Sequence, residues 1–142
     1  CACLVGSEMC IRDSHQSAED YLETILMLTQ RMGRVRSIDV VNELGYTKAS
    51  VSIAMKKLRE NGYIAVDGEG NLTLLEPGRE IAERIYSRHR LLTHFFVQLG
   101  VDEEVAAEDA CKAEHILSEQ TLKKIREYAL LHDAEDSVQK SE

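Results

Sequence analysis

Three short groups of residues in this 142-residue chain have the types and spacing that hold a divalent metal. Asp20-x-x-Glu23 offers two carboxylates, His89 stands between Arg88 and Arg90, and Cys111-x-x-Glu114-His115 offers a thiol, a carboxylate and an imidazole. Spacings of three and four share one face of a helix, so each group can aim at a common centre. Carboxylates, imidazoles and a thiolate suit a divalent transition metal, whereas calcium or magnesium would take oxygen alone. Each piece also has a plainer reading. Asp20 completes a capping box with Ser17, Glu23 is a surface acid, His89 is a surface histidine, and Cys111 is a small buried residue in an alanine-rich stripe. The C-x-x-E-H cluster is the least easily explained as surface.

A second constellation is basic. In TKASVSIAMKKLRENG, Thr47 caps a helix whose apolar stripe is Val51, Ala54, Met55 and Leu58, and Lys48, Ser50, Ser52, Lys56, Lys57 and Arg59 lie off that stripe. Small hydroxyl residues let a helix sit deep in the major groove, and Lys and Arg further along reach phosphates. Alone, such a face is merely solvated; its setting makes it a DNA-reading element. No Arg stands in the first turn, so base readout is modest, and DNA shape with phosphate contact carries much of the affinity.

That setting follows from the periodicity. Ala18, Tyr21, Leu22, Ile25 and Leu28 give a helix from Ser17 to about Met32, closed by Gly33. Ser37 caps a short helix with Ile38, Val41 and Leu44, closed by Gly45. The basic helix follows after a tight Gly-containing turn, which makes a helix-turn-helix. Tyr63 to Val66 and Leu72 to Leu75 flank a Gly-rich turn as a hairpin, the wing. Pro77 opens a long helix with Ile81, Ile85, Leu92, Phe96 and Leu99 inward. Asp102 caps a fifth helix with Val105, Ala106, Ala110, Ala113 and Leu117 inward. Ser118 caps a sixth with Leu122, Ile125 and Ala129, and the polar residues beyond Leu131 are expected to fray. The fold class is mainly α: a winged helix-turn-helix (three helices plus a hairpin) over 17–78, an all-α metal-binding and dimerisation domain over 79–132, and a flexible tail over 133–142.

Net charge is −8, with 44% hydrophobic and 30% charged residues, which excludes disordered and collagen-like chains. The acid is unevenly placed: residues 33–80 are neutral, 81–100 carry +2, and 101–142 carry −7. A nucleic-acid partner is therefore compatible with the middle of the chain. No apolar run approaches the roughly 20 residues of a membrane span, and the expected location is the cytoplasm. Cys1, Cys3 and Cys10 suggest a zinc knot or disulfide framework, but Leu4 to Ser14 reads like a translated sequencing adapter. Residues 1–16 are taken as a non-native tail.

From Ser17 to about Leu131 the chain resembles the diphtheria toxin repressor family of metal-dependent transcriptional repressors, in its short manganese-regulator branch without a third, SH3-like domain. The matching text is SAEDYLETILML, ASVSIAMKKLRENGYI, SRHRLL and LGVDEEVAAEDACKAEHILS. The resemblance implies that Asp20, Glu23, His89, Glu114 and His115 are metal ligands. Cys111 departs from the manganese type, which has a bridging glutamate there. The iron type has cysteine there but methionine at the position of Asp20. Thr93 and Ala107 replace the glutamate and histidine of the iron type's ancillary site. A thiolate shifts preference toward Fe²⁺, Co²⁺ or Zn²⁺, while the carboxylates keep Mn²⁺ open.

The resulting expectation is a homodimeric, non-enzymatic repressor of metal-uptake genes. Mn²⁺ or Fe²⁺ is the corepressor, with Co²⁺ or Zn²⁺ able to substitute in vitro. Leu117, Leu122, Ile125 and Ala129 join the protomers, and bound metal holds the two reading helices about 34 Å apart on a palindromic operator of double-stranded DNA. The rivals are a winged-helix regulator answering an organic ligand and a small metal hydrolase using Glu114 as base. No H-E-x-x-H, phosphate loop or nucleophile motif supports the hydrolase.

Overall fold

The apolar positions Tyr21, Leu22, Ile25, Leu26 and Leu28 are all buried, and they lie on helix α1, Ser14–Met32, of a computed structural model that describes residues 14–139. Because α1 begins at Ser14, Ser17 lies inside the helix rather than at its N-cap, where the capping box with Asp20 was expected. Gly33, at φ 83°, takes the left-handed conformation that ends the helix. The residues before Ser14, which hold most of the expected non-native tail, lie outside the described part.

Helix α2, Ser37–Leu44, starts one residue earlier than expected, with Arg36 rather than Ser37 at the N-cap. The Arg36 backbone N–H donates to Asp39 Oδ2 at 2.8 Å. Gly45, at φ 69°, closes α2 by donating its N–H to the Val41 carbonyl. After Tyr46, Thr47 caps α3, Lys48–Glu60, as its spacing predicts: the Ser50 N–H donates to Thr47 Oγ1 at 3.1 Å. Strands β1, Ile64–Val66, and β2, Leu72–Leu74, pair antiparallel with Ile64 opposite Leu74. On the hairpin's outer edge the Leu72 N–H donates to the Val35 carbonyl at 2.7 Å, which ties the wing to the α1–α2 connection. At the wing tip Asp67 Oδ1 accepts the N–H groups of Glu69 and Asn71, and the Asn71 amide donates to Oδ2. These hydrogen bonds, the Asn71 side chain's foremost, hold the Asp67 carboxyl below the usual carboxylate range.

Helix α4, Glu76–Gln98, carries Pro77 in its first turn. Gly78 is required there by space: a Cβ would stand 2.2 Å from the Tyr63 carbonyl oxygen. The first unit, ending at Tyr86, closes over Leu22, Ile25, Val35, Val40, Val51 and Ile64.

The second unit starts at Ser87 and contains the rest of α4, then α5, Glu103–Ala113, and α6, Glu119–Gln139. Its core is Leu92, Ala110 and Leu122, with Leu91, Phe96, Ala113, Leu117 and Ile125 packed around them. Ser118 caps α6 by accepting the Thr121 N–H at 3.2 Å. Two expected core residues face out: Leu99 is 60% exposed and Val105 46%. Leu99 falls beyond the end of α4, and Val105 lies off the face of α5 that buries Ala106 and Ala110. Nor does α6 fray at Leu131. Asp133 accepts from Gln98 Nε2 at 2.8 Å and pairs with His94 Nε2 at 3.1 Å, and the helix continues to Gln139.

Candidate metal centre

In the first unit, Asp20 and Glu23 sit three residues apart on α1, each with a carboxylate oxygen within 4.8 Å of the other's. Glu23 is no surface acid, being only 2% exposed. A buried carboxylate is costly unless a cation or hydrogen bonds compensate it, so its position is chemically informative. Neighbouring Tyr21 has its hydroxyl pKa pushed up to about 12, first by burial, then by Tyr46 and Asp20.

In the second unit, α4 supplies His89, and the end of α5 supplies Glu114 and His115. Glu114 is the C-cap residue, still at φ −58° and ψ −27°, with its N–H donating to Ala110. The C-x-x-E-H spacing therefore keeps its helical sense just past the helix. Arg88 fixes this corner by donating from Nη1 to the Glu114 carbonyl at 3.2 Å while pairing with Glu119. The Glu114 side chain has no exposed surface. Its Oε2 lies 3.0 Å from His89 Nδ1, and its Oε1 lies 3.3 Å from His115 Nε2. Each carboxylate oxygen thus faces one imidazole. Protons and a divalent cation compete for these lone pairs, so the group is chemically matched to a metal of the manganese–iron–zinc class.

Cys111 lies one turn before Glu114 on α5 and is 1% exposed, as a small buried residue beside Ala110 would be. Its sulfur is disulfide-bonded. A disulfide sulfur has no thiolate to give, so metal ligation by Cys111 belongs to the reduced protein.

The reading helix divides by face. Lys48, Ser52, Lys56 and Arg59 are exposed on one side. Ser50 and Lys57 turn toward α1 and the start of α4, where they line a cavity of about 720 Å³ with Ala18, Leu22, Ala54 and Arg84. Thr47 and Ser50 are also bonded to one another in the cap. Ile53, at 58% exposure, went unnoticed in the sequence, although its place off the apolar stripe of α3 was the signal.

Of the expected dimerisation residues, Leu122 and Ala129 are buried in their own protomer and Leu117 and Ile125 are half-buried, packed on the second unit's core. Their inward periodicity closes this unit. Among the apolar residues left in water, Ile116 at 76%, Leu131 at 67% and Leu130 at 63% are the most exposed. Among the described residues, no helix is long and apolar enough to cross a membrane.

Comparison with known proteins agrees with this division. Residues 13–72 match the family model "Iron dependent repressor, N-terminal DNA binding domain", and residues 75–132 match "Iron dependent repressor, metal binding and dimerisation domain". An uncharacterized HTH-type transcriptional regulator of Methanocaldococcus jannaschii is 35% identical over 113 residues, 78% of this chain and 90% of that protein. The HTH-type transcriptional regulator MntR of Bacillus subtilis is 32% identical over 124 residues, 87% of each chain. A solved manganese-dependent transcriptional repressor in complex with manganese superposes with TM-score 0.72 at 28% identity, over 79% of this chain and 52% of that one. The IdeR structure from T. acidophilum, at 24% identity and TM-score 0.72, shows the same fold over 78% of this chain and 52% of its own. The chain spans about half the length of these solved structures. The relatives are transcriptional regulators rather than enzymes, and with two family models covering most of its length the chain belongs to the iron-dependent, diphtheria toxin repressor-like family of metal-dependent transcriptional repressors.

Proposed function

We propose that the chain is a cytoplasmic homodimer that represses metal-uptake genes when Mn²⁺ or Fe²⁺ loads it. The observation that carries this reading is Glu114, wholly buried with an imidazole at each oxygen. The ion's ligands in this reading are His89, Glu114 and His115 from the second unit and Asp20 and Glu23 from the first, joined by Cys111 when it is reduced. Asp20 and Glu23 alone offer too few donors to hold a divalent transition metal, which supports their joining the histidine-containing set around one ion. Sharing would restrict the freedom of the reading heads, so metal and DNA must strengthen each other's binding by the same factor.

On the DNA side, Lys48, Ser52, Lys56 and Arg59 supply the face that meets the major groove, with Thr47 and Ser50 at the helix start and Lys57 at its flank. The wing tip carries Asp67 and Glu69 and is repelled by phosphate, so α3 does the reading. The folding boundaries in this reading are 17–78 for DNA binding and 79–132 for metal binding and dimerisation. Protomers meet through exposed apolar residues such as Leu130 and Leu131.

One observation favours a second reading. The cavity of about 720 Å³ beside α3 is large enough for an organic effector. A mobility shift on palindromic DNA, with and without Mn²⁺ or Fe²⁺, separates the two. Metal-dependent retardation is expected, and metal-independent retardation would favour the organic-ligand regulator.

A further inference from the structure

Ile53 stands on the second turn of α3, 58% exposed, although the unit's core is closed without it by Val51, Met55 and Leu58. Ala49, one turn earlier, is also exposed, so a short apolar strip runs along the outer face of α3 between Lys56 and Lys57, and Ile53 also lines the cavity beside that helix. Large aliphatic side chains gain nothing in water, and this one lies on the element that a DNA-binding fold presents to the major groove. Four cations against one acid on α3 oppose docking of a second such face and fit a polyanion. In the major groove one base alone offers an aliphatic group, the thymine 5-methyl.

We propose that Ile53 is a base-reading residue that packs on a thymine methyl in each operator half-site. The inference rests on the DNA-binding reading of α3 and adds its chemistry. Lys48, Lys56 and Arg59 hold the helix by phosphate contact that carries no sequence information. The first turn has no Arg to grip guanine, so an apolar contact in the second turn supplies discrimination that the charged residues lack.

The test uses uracil, which pairs as thymine does but lacks the methyl. A bound duplex is first selected from a random library with the Mn²⁺-loaded full chain. Each thymine is then replaced by uracil symmetrically in both half-sites. At one position wild type should lose about fourfold affinity per half-site, about 15-fold for the pair, from roughly 0.8 kcal/mol per buried methyl. Ile53→Ala should bind thymine and uracil duplexes alike at that position, with the wild-type salt slope, because isoleucine touches no phosphate. Lys56→Ala should lower the salt slope by about one and keep the uracil penalty. The inference is overturned if wild type ignores uracil everywhere, or if the penalty persists in Ile53→Ala. It is equally overturned if Ile53→Ala weakens thymine and uracil duplexes equally while lowering Tm, which would make Ile53 a prop for the cavity beside α3. Failure to select any duplex would remove the DNA-reading role of α3 and this inference with it.

Discussion

Replacing Glu114 by glutamine removes one charge from the centre with almost no change of shape. In the wild type the carboxylate lies 3.0 Å from one imidazole nitrogen and 3.3 Å from another, with no exposure to water. An amide can accept from one imidazole and donate to the other, so without metal the variant should differ from wild type by about 1 kcal/mol, roughly 3 °C in Tm. With metal the two diverge. A ligand at about 100 times its Kd stabilises the native state by about 2.7 kcal/mol, and a variant with about a hundredfold weaker affinity gains only about 0.4 kcal/mol. For a chain of 142 residues that is an Mn²⁺-induced Tm shift of about 8 °C in wild type against about 1 °C in Glu114→Gln. Calorimetry at matched free Mn²⁺ reads it directly. A variant that keeps the full shift would show that Glu114 is not a ligand. A wild type with no shift at all would remove the proposed centre.

The remaining predictions concern single features. Gly78→Ala should lower stability by about 1–3 kcal/mol or more in denaturant titration, because the added Cβ meets the Tyr63 carbonyl backbone at 2.2 Å, where no flexible group can yield. Leu131→Asp should give a monomer by sedimentation while retaining wild-type helix content, since its side chain lies outside the second unit's core. Co²⁺ added to reduced protein should produce a sulfur-to-metal charge-transfer band that the oxidised protein lacks; no band in either state would leave Cys111 as a packing residue. Asp67 has a lowered folded pKa, so its contribution to the wing turn is present above the ordinary carboxylate value and is lost as pH falls through the lowered one. Carbon-detected NMR titration should show that low midpoint, and Asn71→Ala should move it back up.

The winged fold was legible because its signals are local. Thr47 before an apolar stripe, glycine at 45 and a Gly-rich turn between two β-rich runs each name their own structure, and each appears where expected. The errors arose where local grammar had two solutions. Ser17 with Asp20 forms a valid capping box, yet the helix continues through it to Ser14. Ser37 and Arg36 compete for the same cap, and the chain uses the Asp39 side chain to close on Arg36.

The metal residues divide in the same way. The spacing of C-x-x-E-H announces a shared face, and Glu114 with His115 realises it. That His89 faces the same carboxylate depends on how α4 lies against the end of α5, which no short-range pattern encodes. The dimer residues show the limit most sharply. A period of three to four says that Leu122, Ile125 and Ala129 share a face, but not whether that face meets its own chain or another. The deciding quantity is how much apolar surface a three-helix unit needs for its own closure. Leu122 and Ala129 are spent on that closure, while Leu117 and Ile125 stay half-buried, so the same stripe serves the unit's own core before it can serve an interface. Ile53 follows the same reasoning on α3. Where a core is already complete, a large aliphatic residue left in water points to a surface that becomes buried only in a complex.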